Sequence, residues 1–229
     1  MSDVNQWYKL VLYAAGKNLQ NGYVSPEDFN TVIMPLGQRS YLDYLLGEYQ
    51  KYQIQRPIAV VEFGQNERIR DSISPLIYNT ILPINSTTGI AQRPSDYEYP
   101  DAMWSVYGNY NIRFIQQDRL DSYIHSEVDP VATNPVYLIQ HEGFHFFPDR
   151  PYGENQAKMS YVRNPPSIVW GYDVDGNGDF IYNPSTSQDP IWSDTDMLQV
   201  IVRGLAAVGV NLQLGVVMQY ANDIKNNGQ

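Results

Sequence analysis

The chain has 229 residues, of which 43% are hydrophobic and 17% charged, with a formal net charge of −10 and no cysteine. This length and composition allow a full hydrophobic core, which excludes a disordered chain and predicts one large domain or two small ones. The acidic balance excludes a broad basic surface for non-specific nucleic-acid binding, and the absence of cysteine excludes disulfides and thiolate metal sites.

No segment has the pattern of a signal peptide or of a membrane span. The first residues lack a basic start followed by an unbroken apolar run. The most apolar segment, 197–220, is interrupted by Arg203, Asn211 and Gln213 and falls short of the roughly 20 continuous apolar residues that a span needs. We therefore predict a soluble protein that does not contact a membrane.

Helices are predicted to open the chain. Ser2 and Asp3 can cap a first helix whose apolar residues recur at helical spacing. A second helix should start at Ser25, which is followed by a proline at the first helical position and then by two acids. Pro35 and Gly37 are expected to kink or split it, and a further helical stretch is predicted over 39–50.

The middle of the chain has a weaker pattern. The short apolar runs 58–63 and 76–84 are candidate strands, and the polar residues 85–100 are predicted to form a loop. Apolar and polar residues alternate over 104–114, which predicts a strand or hairpin with a turn or bulge at Gly108. A short helix is predicted over 118–128.

Strands and helices are both predicted in the last hundred residues. Residues 136–182 alternate β-branched and aromatic runs with turn residues, which is typical of antiparallel strands. A helix should begin at Ser193 and stop near Gly209, and a last helix should cover 212–224. The prediction is a single α+β domain over 1–229, with a helical part (1–50), an antiparallel β-rich part with hairpins (101–184) and a C-terminal helix pair (193–226).

His141, Glu142 and His145 match the HExxH pattern of zinc peptidases. That chemistry requires the motif on one helix, because two histidines four residues apart then project from the same face. Here Gly143 lies at the centre, aromatic residues follow, and no histidine occurs after His145. We therefore interpret the motif as a turn at Glu142-Gly143 between two strands that carry one histidine each. A zinc peptidase using these residues stays an alternative.

The segment 173–179 resembles the opening of a calcium-binding loop. Asp173, Asp175, Asn177 and Asp179 supply oxygens at alternate positions, with Gly178 at the turn. The closing glutamate is missing, since its position holds a proline, and apolar strand-like residues flank the loop. We interpret it as a hairpin turn. A calcium-dependent binding module using 173–179 stays a second alternative.

Other site chemistry is sparse. The sequence contains no cysteine nucleophile, no G-x-S-x-G elbow and no glycine-rich phosphate loop, and His125 is interpreted as a helix-surface residue. We therefore predict no enzyme, with no catalytic, cofactor-binding or metal-binding residues. The 19 tyrosines leave two interpretations open, a tyrosine-rich core or sheet face and an extensive subunit interface.

Several segments together resemble a known family of structural proteins. The segments are GYVSPEDFN, PSDY, NPVYLIQHEGFHFFPDRPY, MSYVRNPPSIVWGY, IYNPSTSQDPIWSDTDM and MQYAND. As a set that spans nearly the whole chain, they are similar to virion structural proteins of crAss-like and related podoviruses that infect Bacteroidetes bacteria. The likeness rests on turn and strand patterns and carries no catalytic signature.

The resemblance implies a place in the head-to-tail connector, neck or tail of a virion that is assembled in the host cytoplasm. It implies a homo-oligomeric, twelvefold ring stacked on a portal or on neighbouring ring or tail proteins, with double-stranded DNA passing through without specific binding. A head-to-tail interface closes into a ring only when the rotation between subunits divides a full turn. Acidic charge on the channel wall would let DNA pass without sticking.

Overall fold

The chain forms two compact units. The computed structural model describes residues 3–18, 24–54, 60–108, 110–124 and 130–209. The first unit comprises 1–75 and 165–229, and the second comprises 76–164. The α+β class is confirmed by the N-terminal helices, the largely antiparallel sheets and the C-terminal helix. The single domain over 1–229 stays a prediction.

Six α-helices are described: α1 (Val4–Asn18), α2 (Pro26–Asp28), α3 (Met34–Ile54), α4 (Val60–Ile73), α5 (Gln117–Ile124) and α6 (Asp194–Ala207). The predicted starts of the first two are confirmed. An Asp3 carboxylate oxygen accepts the Asn5 N–H at 2.9 Å, and the Ser25 hydroxyl accepts the Asp28 N–H at 3.0 Å. These bonds satisfy amide donors that have no partner within the helix.

The helix is not split at Pro35 and Gly37, because α3 runs through both residues. A π-helical stretch, Phe29–Ile33, joins α2 to α3, so helical backbone runs from Pro26 to Ile54. A proline inside a helix removes one hydrogen bond and crowds the preceding turn. A π-type turn is one way in which a helix accommodates such a residue and continues.

Two glycines bring α3 and α6 into close contact. A Cβ atom built on Gly37 would lie 2.3 Å from the carbonyl oxygen of Val200, and one on Gly204 would lie 2.3 Å from that of Ile33. Both separations are far shorter than van der Waals contact. The two helices can therefore cross at this distance only because each lacks a side chain at the crossing point.

The described part of the apolar run 58–63 is not a strand, because α4 begins at Val60, and residues 58 and 59 lie outside the described residues. A short apolar run fits a buried strand or part of a helix equally well. The polar residues that follow, up to Ser72, continue the helix. The apolar half of α4 fits either a strand or a helix, and the charged half that follows is helical as well.

Nine strands are described: β1 (Ile77–Pro83), β2 (Ile90–Ala91), β3 (Tyr97–Ser105), β4 (Arg113–Phe114), β5 (Val136–Gln140), β6 (Gly143–Phe147), β7 (Gln156–Arg163), β8 (Tyr172–Val174) and β9 (Phe180–Tyr182). In the second unit they form a sheet of order β1-β7-β3 and a sheet of order β2-β6-β5-β4. Met103 and Met159 of the first sheet share one buried cluster with Phe144 and Phe146 of the second. The two sheets therefore enclose a common core.

The predicted strand over 76–84 is confirmed as β1, but the predicted loop over 85–100 is wrong in part. It contains β2 and the start of β3. Proline and polar residues conceal this strand in the sequence, and its pairing with β7 is interrupted between Tyr97 and Tyr99 and between Pro100 and Ala102. β3 lies at the edge of its sheet, where proline and bulges are tolerated.

Two further expectations are corrected in detail. The β-rich region is antiparallel except for β4 and β5, which pair in parallel over two residues. The predicted turn after β3 is present, and the Ser105 hydroxyl accepts the N–H groups of Gly108 and Tyr110, both at 3.2 Å. The strand that follows is reduced to two residues.

The helix predicted over 118–128 is present as α5 up to Ile124, with 125–128 outside the described residues, and the helix that starts at Ser193 is present as α6. His125 and the predicted last helix over 212–224 lie outside the described residues. None of the described helices is long and apolar enough to cross a membrane.

Candidate functional site

The HExxH segment forms a hairpin. β5 and β6 pair antiparallel from Val136 opposite Phe147 to Gln140 opposite Gly143, so His141 and Glu142 form the two-residue connection. His145 lies in β6, opposite Leu138 of β5. The predicted pairing of strands is confirmed. The expectation of one histidine on each strand is wrong, because His141 lies in the turn.

Gly143 explains why the turn is placed one residue earlier than predicted. Its φ is +145°, and a Cβ atom there would lie 2.1 Å from the carbonyl oxygen of Ala91 in β2. Glycine is therefore needed for the close approach of β2 to the first residue of β6. The helix that would bring His141 and His145 onto one face is not formed in this segment. No group of three or more potential metal-ligating side chains occurs among the described residues.

The segment 173–179 forms the connection between β8 and β9. One carboxylate oxygen of Asp175 accepts the N–H groups of Asn177 and Asp179, both at 2.8 Å, and Gly178 has a φ of +89°. The hydrogen bond from the Asp179 N–H, followed by that from Asn177, holds the pKa of Asp175 below its usual value. Asp173 accepts a hydrogen bond from the side chain of Asn183 at 2.9 Å.

The interpretation of 173–179 as a hairpin turn is therefore confirmed. The Asp175 oxygen that a calcium loop would direct at the ion instead accepts two backbone N–H groups, which is a standard way for aspartate to close a turn. Binding of calcium by this segment stays untested.

A buried carboxylate, which the sequence did not single out, joins three helices of the first unit. Asp196 is 8% exposed and accepts hydrogen bonds from the hydroxyls of Tyr41 at 2.5 Å, Ser72 at 3.1 Å and Ser193 at 2.6 Å. Burial and the bond to Asp196 raise the pKa of Tyr41 above its usual value. The network satisfies a charge that would otherwise be costly to bury.

Only part of this network has a signal in the sequence. Ser193 also accepts the Asp196 N–H at 3.2 Å, which completes a capping arrangement that the S-D-T-D order suggests. Tyr41 and Ser72 are 155 and 124 residues away in the chain. No local pattern connects residues at such separations.

Large apolar side chains are exposed on each unit. On the second unit, edge strand β1 exposes Tyr78 and Ile81, and Tyr107, in the turn after β3, is 85% exposed. On the first unit, the β8–β9 hairpin exposes Val174 and Ile181, which are 59% and 55% accessible. We call these sets the β1 edge patch (Tyr78 and Ile81) and the hairpin patch (Val174 and Ile181); in each set the two side chains lie on opposite faces of the strands.

The tyrosines fit both interpretations that the sequence left open. Tyr8, Tyr41, Tyr137 and Tyr161 are buried, whereas Tyr13, Tyr44, Tyr78, Tyr107 and Tyr110 are exposed. Tyrosine therefore contributes to the cores of both units and also to their surfaces. Its exposed share is suited to a surface that becomes covered in an assembly.

Comparison with known proteins assigns no family. No protein-family model matches the chain. The cytochrome P450 monooxygenase sdnQ of Sordaria araneosa is 27% identical over 144 residues, which cover 60% of this chain and 24% of that protein. The chain thus spans about a quarter of the length of this relative.

Proposed function

We propose that the protein is a structural component of a tailed-phage particle, as a homo-oligomeric ring in the neck, the head-to-tail connector or the tail. The observation that carries the proposal is the exposure of large apolar side chains on both units, especially in the β1 edge patch and the hairpin patch. The resemblance of six segments to virion proteins of crAss-like phages supports the same role. The protein would act through its surfaces and not through a catalytic centre.

The β1 edge patch is suited to association with another chain. β1 is seven residues long, lies at the edge of its sheet and pairs only with β7 among the described strands. An edge strand presents unpaired backbone groups, and proteins that remain monomeric commonly protect such strands with charged residues. β1 carries no charged residue, and Tyr78 and Ile81 are both more than half exposed.

The hairpin patch offers a second surface. A two-stranded hairpin is marginally stable by itself, and here the ring of Trp170 stacks near Tyr172 and Tyr182 at centroid distances of 5.9 and 5.7 Å. One side of the hairpin is thus anchored within the first unit. Ile181 lies on the opposite face, and Val174 lies on the same face as Tyr172 but remains exposed; both can contact a neighbouring subunit.

The net charge suits a channel for DNA. At −10, the chain would repel phosphates over most of its surface, so DNA could pass through a ring without adhering to its wall. Twelvefold symmetry and stacking on a portal or on neighbouring ring proteins belong to this proposal. A ring with a basic channel wall would contradict the part that concerns DNA.

The first experiment is light scattering combined with negative-stain electron microscopy over a range of protein concentrations. We expect closed rings or a multimer of about twelve subunits, the number that the resemblance implies for one ring. Tyr78→Lys should shift the population toward the monomer, because it places a charge on the edge strand. Gln6→Lys adds the same charge at an exposed position of α1 and serves as the matched control.

A wild-type chain that remains monomeric at every concentration would contradict the ring. Elemental analysis of the same sample tests the two alternatives. Stoichiometric zinc would support a site that uses His141, Glu142 and His145. Stoichiometric calcium that is lost in Asp175→Ala would support a binding module that uses the segment 173–179.

A further inference from the structure

A cavity in the first unit is lined by an arginine that forms no ion pair with the described residues around it. The cavity has a volume of about 430 Å³ and lies between α3, the second half of α4 and α6. Arg203 and Arg68 are among the residues that line it, together with Tyr44, Leu45 and Ile69. This volume is within the usual range of small-molecule sites, roughly 300–1,000 Å³.

The Arg203 guanidinium is fixed by aromatic rings. Its central carbon lies 4.6 Å from the centroid of the Tyr44 ring and 5.9 Å from that of Tyr41. Cation–π contacts of this kind orient a guanidinium but leave the N–H groups in its plane available. The group is therefore held in place before any ligand arrives, which lowers the entropic cost of binding.

The same guanidinium has an unsatisfied donor. Arg203 Nε is buried and has no hydrogen-bond partner in the described part of the chain. The ion pair found among the described residues joins Arg39 to Asp43, and none involves Arg203 or Arg68. A buried donor atom without a partner is costly, and such an atom is usually explained by an ordered water, an ion or a ligand.

The acids that line the cavity do not supply this partner. Asp196 already accepts hydrogen bonds from Tyr41, Ser72 and Ser193, and it forms no ion pair with Arg203. Glu48, the other acid in the lining, has an interaction of its own and is likewise not paired with Arg203. The unmet requirement at Arg203 is for an anionic acceptor from outside the described residues.

We propose that this cavity binds a small organic carboxylate, with Arg203 as the group that recognises the carboxylate. The planar guanidinium matches two carboxylate oxygens, and Arg68 adds a second positive charge. Leu45 and Ile69 provide apolar wall for the body of the ligand. The proposal concerns the first unit alone and holds whether or not the chain assembles into a ring.

The test is isothermal titration calorimetry of the full chain with benzoate, with benzamide as the neutral analogue of the same shape and inorganic phosphate as an anion without an apolar body. We expect saturable binding of benzoate and no binding of benzamide or phosphate. Arg203→Gln should weaken benzoate binding by roughly 10- to 100-fold, as expected for loss of charge-assisted hydrogen bonds. Arg39→Gln, on the exposed side of α3, should leave it unchanged.

Two further variants keep the result interpretable. Arg68→Gln changes an exposed residue and should also weaken binding. Arg203→Met should melt within a few degrees of the wild type without ligand, because it removes an unpaired buried donor, and should not bind benzoate. Equal binding of benzoate and benzamide, binding of phosphate alone, or benzoate binding that survives Arg203→Gln would each overturn the proposal.

Discussion

The close crossing of α3 and α6 predicts that replacing glycine by alanine lowers the free energy of unfolding at one position of α3 and raises it at another. Gly37 and Gly47 both lie inside α3. A Cβ atom on Gly37 would lie 2.3 Å from the Val200 carbonyl oxygen, whereas one on Gly47 would meet nothing within 4 Å. Replacing each glycine by alanine therefore makes the same chemical change in two different environments.

Two opposing free-energy contributions determine the outcome. Alanine is favoured over glycine inside a helix by about 1 kcal/mol, and this contribution applies at both positions. Overpacking costs about 1–3 kcal/mol, and we expect the upper part of this range at Gly37 because the clashing atom belongs to the backbone and cannot rotate away. Gly37→Ala should thus lower the free energy of unfolding by about 1–2 kcal/mol, while Gly47→Ala should raise it by up to about 1 kcal/mol.

Urea unfolding followed by far-ultraviolet circular dichroism measures both variants. The helix preference cancels when they are compared, so their difference of about 2–3 kcal/mol reports the packing cost alone. In thermal melts it corresponds to roughly 4–12 °C for a chain of this size. Equal stability of the two variants would show that α3 and α6 do not approach as closely as their glycines indicate.

Three further predictions concern buried groups and one turn, each measured by urea unfolding. Burial raises the pKa of Tyr137 to about 12, compared with 10 for tyrosine in the unfolded chain. The neutral phenol therefore contributes fully to the free energy of unfolding below pH 10, and this contribution is lost as pH rises through 12. Wild type should lose about 2 kcal/mol more than Tyr137→Phe over this interval, and parallel pH profiles would contradict this. Asp196→Asn should cost about 2–3 kcal/mol because three hydroxyls donate to the carboxylate, whereas the exposed control Asp194→Asn should cost below about 1 kcal/mol. Gly143→Ala should cost at least about 2 kcal/mol through its positive φ and its contact with β2, and a loss no larger than in Gly176→Ala, where space is open, would refute that.

Elements fixed by local chemistry were predictable from the sequence. The caps at Asp3, Ser25 and Ser193 define helix starts through hydrogen bonds that span two or three residues. The two hairpins were predictable for the same reason, since Gly143 and Gly178 mark backbone conformations that favour glycine. This local reading was enough to recognise that HExxH and 173–179 are turns.

Features that depend on distant residues were not predictable. β3 contains a proline and polar residues, and it is a strand because it forms backbone hydrogen bonds with β7, with two shifts in register. Pro35 does not end its helix, because helical backbone continues through the π turn and packs on α6. The cavity at Arg203 lies between α3, α4 and α6, and the whole second unit separates α6 from the other two along the chain, so no spacing in the sequence could reveal it.

The order of the two units along the chain has a consequence for synthesis on the ribosome. The second unit, 76–164, is complete in sequence before α6 is made, and it contains its own buried cluster. The first unit cannot finish its core until Val200 and Gly204 have emerged to meet α3. At about 5–20 residues per second, the N-terminal helices therefore wait several seconds for their partner. During that interval the apolar residues of α3 that α6 later covers are open to chaperones or to another nascent chain.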